Sequence, residues 1–473
     1  MRRSTALAAL VFGLMPSLAL AQSFGRQYNL PVPLWLYLYG GAAALALSFL
    51  LAAFMMRGQQ HAVVKPRRLL YKKSSKAHLG RALSVGFLLL TISTGFLGNR
   101  DPYVNFNMTF FWIVFLLGFT YLSTVTGNYY RDINPFTSLG LLFSRAFPRW
   151  RRGYFRYPSW ANYWPAFVAY LGLIWIELFT HNTPLSLGQT LGAYTLYCLA
   201  GMALFGVAKW SRYGELFSVM FRLMALMSPF HRGRHAVSWQ APLSGMLREQ
   251  PRHLALLLFV LFLLSSTAFD GLRATSWWVA LFWQDRTGLL TEWLGSAPIY
   301  NFSTLRPYYM AYESSVLLLS PFVYGAIYMF CMALAKLLTG SSLTVMQLSL
   351  RFAYSLLPIA LVYNITHYYT LIFTQGVKVV SMLSDPFGWG WNLFGTAGLW
   401  RAPIIPDVAV VWHTQVGLIV LGHVISVYIG HRIALRTFAT ARQATLSQLP
   451  LLVLMMAFTA SGLWILAQPI GAR

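Results

Sequence analysis

The stretch PIALVYNITHYYTLIFTQG, residues 358–376, decides how this chain is read. It is apolar enough to cross a bilayer, yet Asn364, His367 and Thr370 recur every third residue along one side of a helix. A strongly polar group in hydrocarbon costs about 2.5–3.5 kcal/mol on insertion scales, so such a stripe faces a protein interior or a watery cavity. The stretch therefore belongs to a bundle of membrane helices, and His367 marks where to look for chemistry.

The rest of the chain agrees with that class. Of its 473 residues 57% are hydrophobic and only 10% charged, with a mean hydropathy of +0.55, whereas soluble domains carry about 25% charged residues. The net charge of +25 does not point to nucleic acid, because the basic residues sit in short loops between apolar segments and not on one folded face. Cys198 and Cys331 lie inside apolar segments, so the chain carries no disulfide framework and no Cys-based metal motif.

The opening MRRSTALAALVFGLMPSLALAQS has two arginines, a short apolar run and Ala19-Leu20-Ala21 before Gln22, the pattern of a cleaved signal peptide spanning 1–21. Residues 22–473 then read as a single all-α transmembrane bundle. Ten stretches have the length a bilayer core of about 30 Å requires: 33–56, 82–98, 108–127, 164–180, 187–208, 254–269, 315–335, 352–374, 408–430 and 449–467. With the mature start outside, the five interior loops hold 26 of the 36 Lys and Arg, the positive-inside asymmetry. Both termini are then expected on the periplasmic side of a bacterial inner membrane. Seven of the eleven carboxylates fall on the outer side: Asp101, Asp270, Asp285, Glu292, Glu313, Asp385 and Asp407.

In this topology His367 lies about two turns below the outer end of its helix, and His413 about two turns below the outer start of the next. His423 is ten residues further, about 15 Å deeper, and His431 reaches the inner end. Imidazole with carboxylate suits a divalent metal such as Zn, Mn or Fe, and the expected ligands are His367, His413, His423, Asp270 and Asp101. Asp101 and Asp385 also precede proline, where Asp-Pro starts turns. The outer segment 270–314 is rich in aromatics, and Trp277, Trp278, Tyr308 and Tyr309 are expected to receive an apolar ligand from the membrane surface. Trp and Tyr also form ordinary interfacial belts.

Five motifs, in this order, resemble the polytopic bacterial proteins named fenitrothion hydrolase: RDPYVNFNMTFFWIVFLLGFTYLSTVTGNYYRDINPF, TAFDGLRATSWW, FAYSLLPIALVYNITHYYTLIFTQG, SDPFGWGWNLFGT and QVGLIVLGHVISVYIGHRIAL. The resemblance runs from about residue 98 to 435. It implies hydrolysis of the P–O aryl bond of an organophosphorus triester, a hydrophobic small-molecule substrate met in the lipid bilayer. Positions matching its motifs are Asp101, Asn105, Asn134, Asp270, His367, Asp385, His423 and His431. The expected catalytic set is His367, Asp270 and Asp385, acting with a metal-bound water or as a His–carboxylate base. Two other classes remain open: an oxidoreductase with haem held by paired histidines such as His367 and His413, and a transporter or assembly factor using the same buried polar residues as a pathway. No motif names a partner membrane subunit.

Overall fold

Leu254–Arg273 reads LALLLFVLFLLSSTAFDGLR, apolar on every face for most of its length, and a helix of that kind is stable only when other helices surround it. In the computed structural model, which describes residues 32–55, 67–70, 76–233, 236–285 and 287–468, it is the central pole of an all-α bundle. The signal peptide expected at 1–21 and Arg473 lie outside the described residues.

Labelled along the chain, the helices are α1 (Leu34–Met55), α2 (Lys76–Leu97), α3 (Phe106–Thr126), α4 (Pro135–Ala146), α5 (Trp164–Phe179), α6 (Pro184–Phe205), α7 (Leu216–Met227), α8 (Leu254–Arg273), α9 (Phe302–Thr339), α10 (Val345–Thr374), α11 (Val408–Thr437) and α12 (Ala441–Ala467). Each of the ten expected stretches overlaps a helix, but those at 164–180 and 187–208, which become α5 and α6, are not among the helices of spanning length and hydropathy. Among the described residues eight helices are long and apolar enough to cross a membrane, while α5 is a shorter apolar helix of 16 residues.

The pole divides the bundle. On one side α2 packs against α6 and α4; on the other, α9, α10, α11 and α12 pack on one another, and α1 joins this second group through α11 and α12. α8 itself touches α5, α9, α10 and α12. The stretch that opened the sequence reading begins at a break: Ala353–Leu356 is a 3-10 turn, after which Pro358 stands in the first turn of the α-helical part, where its missing N–H costs nothing.

The loops that charge assigns to one side also touch one another. β1 (Arg67–Leu70) pairs antiparallel with β3 (Ala236–Trp239), which pairs with β2 (Phe230–Arg232). Arg131 reaches the Gly233 carbonyl at 2.6 Å, and Gln443 reaches Thr339 at 3.1 Å. At the opposite ends of the same helices, the Asn99 amide donates to Phe387 at 2.9 Å and Arg273 to the Leu178 carbonyl at 2.9 Å.

The aromatic segment is itself largely helical. It makes the short helices Ser276–Trp283 and Leu289–Leu294, a 3-10 turn at Pro298–Asn301, and then the first turns of α9, which run unbroken through Pro307 and Pro321 into the long span.

Candidate functional site

α8 ends at its polar residues, and these organise the site. Asp270 and Arg273 stand one turn apart, so their side chains leave the pole in similar directions. Asp270 Oδ2 meets His367 Nε2 of α10 at 2.7 Å, with side-chain exposures of 15% and 6%. The two residues are 97 positions apart in the chain, and helix packing alone joins them.

Arg273 turns to α9 and α5. Its Nε lies 3.7 Å from Glu313 Oε1, its Nη1 donates to the Leu178 carbonyl, and its guanidinium covers the Phe179 ring at 4.8 Å. Glu313 Oε1 also accepts from Trp278 Nε1 at 3.1 Å and from the Tyr309 hydroxyl at 2.9 Å. Both ends of this ion pair are buried, and the bonds around the carboxylate offset part of the desolvation penalty that such a pair carries. Beside His367, Tyr368 donates to Glu177 Oε1 at 3.3 Å, and its ring meets the His367 ring edge-on with centroids 4.5 Å apart.

The site is therefore a polar cluster spanning α5, α8, α9 and α10: Glu177, Asp270, Arg273, Glu313, His367 and Tyr368. Sequence reasoning reached Asp270 and His367 as site residues. It missed Glu177, Arg273 and Tyr368, although the first two carried a signal. Glu177 is a carboxylate inside the apolar run IWIELF, and Arg273 follows Asp270 by one turn.

The other expected site residues lie elsewhere. Asp385 Oδ1 and Oδ2 accept the amides of Trp389 and Gly390 at 2.9 and 2.8 Å, and Asp101 accepts the Tyr103 amide at 2.9 Å. Both close their own turns, as Asp-Pro sequences do. His413 is exposed: Val411 and Trp412 take the buried face of α11, and the imidazole Nδ1 bonds to the Ala409 carbonyl of its own helix. His423 is fully buried, its Nδ1 against the Ile419 carbonyl and its Nε2 without a hydrogen-bond partner among the described residues. His431 is held by Gln448 at 2.8 Å.

Of the four aromatics expected to receive ligand, Trp278 and Tyr309 point inward onto Glu313, while Trp277 and Tyr308, next to them in their helices, turn out and are 41% and 66% exposed. Asn105 clamps the Thr94 and Asn99 carbonyls at 2.9 and 2.6 Å, and Asn134 caps α4 and donates to buried Glu215 at 2.8 Å.

The expected metal ligands thus do not converge. Among the described residues no group of three or more His, Cys, Asp or Glu side chains is arranged to hold a metal, and a tetrahedral or octahedral site needs that many at about 2.0–2.2 Å. A haem between His367 and His413 does not fit either, because His367 Nε2 is taken by Asp270 and His413 faces outward. What the cluster offers is one imidazole oriented by one carboxylate, set beside a locked ion pair. No family model, no curated protein and no solved structure matches the chain.

Proposed function

We propose that the protein is a membrane-embedded hydrolase of organophosphorus triesters, as its resemblance to the fenitrothion hydrolases implies, with His367 as general base and Asp270 as the carboxylate that orients it. The observation that carries this reading is the 2.7 Å contact between two polar groups brought from separate helices to the end of an apolar bundle. A buried imidazole is costly to keep in such a place, and a carboxylate at that distance holds the ring in one orientation and stabilises the imidazolium that forms when it takes a proton.

In the reaction, the water oxygen bonds to phosphorus while His367 takes one of its protons. The P–O aryl bond breaks, the electron pair leaves with the nitrophenolate, and the proton passes to the leaving group or to bulk water. The products are a substituted nitrophenol and a dialkyl thiophosphate. No step is routed through a metal, since the candidate ligands stand apart. Trp278 and Tyr309, already bonded to Glu313, wall the cluster on its α9 side. The substrate class is a hydrophobic small molecule drawn from the bilayer, the membrane is the bacterial inner one, and both termini lie on its periplasmic side.

The test is nitrophenol release from fenitrothion by membranes containing the protein. His367→Ala and Asp270→Asn should each lower turnover by about 10²- to 10⁴-fold, the usual worth of a general base, with the protein still inserted. A chelator should leave turnover unchanged. Full turnover by stably expressed His367→Ala would overturn the reading.

A second reading, a transporter or assembly factor, is favoured by one specific observation: Arg273 and Glu313 form a buried ion pair between two helices that the hydrolysis does not use. Absence of nitrophenol release by wild type, together with accumulation of a charged solute in vesicles that Glu313→Gln abolishes, would select it.

A further inference from the structure

Between α4 and α5 the chain reads SRAFPRWRRGYFRYPSW, residues 144–160. Arg145, Arg149, Arg151, Arg152 and Arg156 are crowded into this stretch, and no Asp or Glu occurs between Asp132 and Glu177 to balance them. All five are exposed, and none makes an ion pair among the described residues. Blocks of like charge repel and are commonly disordered. This one is folded.

Pro148–Arg151 winds a 3-10 turn, and the Trp150 ring stacks on Phe143 and Phe147 with centroids 5.4 and 5.9 Å away. Gly153 has a φ of +86°, and a Cβ there would collide with the Phe205 and Gly206 backbone at the end of α6. The next two amides donate into that helix end, Tyr154 to the Ala203 carbonyl at 3.2 Å and Phe155 to the Leu204 carbonyl at 2.7 Å. The backbone thus holds the arginines on a fixed surface, where an anion relieves their mutual repulsion.

The level of that surface follows from helix packing. α2 and α6 cross where Gly95 meets Pro184 and Gly188, and from there they pack side by side in opposite directions. At 1.5 Å per residue α2 runs back about 25 Å to His78, and α6 runs on about 24 Å to Leu204. The arginines therefore stand level with the start of α2, a helix long and apolar enough to cross a membrane. Exposed Phe147, Tyr154, Phe155 and Trp160 lie among them, and rings at such a level settle among lipid headgroups.

We propose that residues 145–160 dock anionic glycerophospholipids of the surrounding bilayer. Arginine forks match phosphate oxygens, clustered positive charge beside a membrane helix selects headgroups of net negative charge, and the exposed rings take the glycerol and upper acyl region. A nucleic acid would meet the same charges without using rings held at membrane level. The surface lies at the opposite end of α5 from Glu177 and does not depend on the hydrolase reading.

The experiment is binding of fluorescent dioctanoyl phosphatidylglycerol, and separately of dioctanoyl phosphatidylcholine, to the full chain in micelles of an uncharged detergent. Wild type should prefer phosphatidylglycerol, and the preference should fade in about 1 M salt, where screening acts within about 3 Å. Arg151→Gln with Arg152→Gln, both exposed, should weaken phosphatidylglycerol about tenfold or more, as loss of two charges beside an anionic surface does, and leave phosphatidylcholine unchanged. Arg100→Gln with Arg306→Gln, which removes as much charge from the opposite end of the bundle, should bind as wild type. The proposal is overturned if wild type binds the two lipids alike, if the Arg151 and Arg152 variant keeps the preference, or if the Arg100 and Arg306 variant loses it equally. Tight binding of an RNA homopolymer by wild type without any lipid preference would overturn it in favour of nucleic acid.

Discussion

Glu313 shows what a single residue does in this bundle. It anchors Trp278, Tyr309 and Arg273 at once, and with the arginine it forms an ion pair whose side chains are only 6% and 10% exposed. Such a pair contributes little net stability compared with a well-packed apolar pair, but breaking it leaves a charge buried alone. Glu313→Ala should therefore destabilise the protein by about 3–5 kcal/mol, read as a lowered thermal midpoint in detergent, whereas replacing Tyr308, which points outward at 66% exposure, should leave it unchanged. The histidines separate by the same logic. His367 has a carboxylate and sits in the cluster. His413 bonds its own helix, and His413→Ala should keep full turnover in the nitrophenol assay; a loss comparable to that of His367→Ala would restore it to the site.

At the scale of elements, α2 and α6 cross through two glycines. A Cβ added at Gly95 would stand 2.6 Å from the Pro184 carbonyl and 2.9 Å from Gly188 Cα. Small residues at such crossings let helix backbones approach closely, which substitutes for the hydrophobic drive that lipid removes. Asn107 fastens the same crossing by donating to the Pro184 carbonyl at 2.8 Å. Gly95→Leu should separate the two helices and cost about 1–3 kcal/mol or more, as overpacking does. Gly172→Ala, where nothing lies within 4 Å of the new methyl group, should be neutral. A thermal unfolding series on the two variants checks the contrast, and equal stabilities would mean the crossing has slack. Of the helices that bring the polar cluster together, α10 is broken by its 3-10 turn before Pro358, while α9 carries Pro307 and Pro321 without a break.

At the scale of the whole molecule, contacts run within the two sets of loops that charge distinguishes. The three-stranded sheet and the bonds from Arg131 and Gln443 join loops of the basic set, and Asn99, Arg273 and Tyr368 join the acidic set. Placing the basic set in the cytoplasm predicts that a periplasm-active reporter fused at Arg473 is active and a cytoplasm-active one silent; the reverse pattern would invert the topology. The class was legible without coordinates, because hydropathy over some twenty residues and the distribution of Lys and Arg are local properties of the chain. His367 was legible as a polar residue too costly to leave in lipid, and Asp270 as one of the carboxylates on the outer side. Their partners were not. Which of Asp101, Asp270, Asp385, His413 and His423 meet depends on the rotation of each helix about its axis and on contacts that span 97 residues at Asp270–His367 and 191 at Glu177–Tyr368, and a turn such as SDPFGWG satisfies its own aspartate before any distant histidine can. Hydropathy and charge therefore determined that the chain is an all-α bundle whose helices have the length and apolarity to cross a membrane, while only packing decided that Asp270 joins His367, that Arg273 joins Glu313, and that the expected metal ligands form no group that could hold a metal among the described residues.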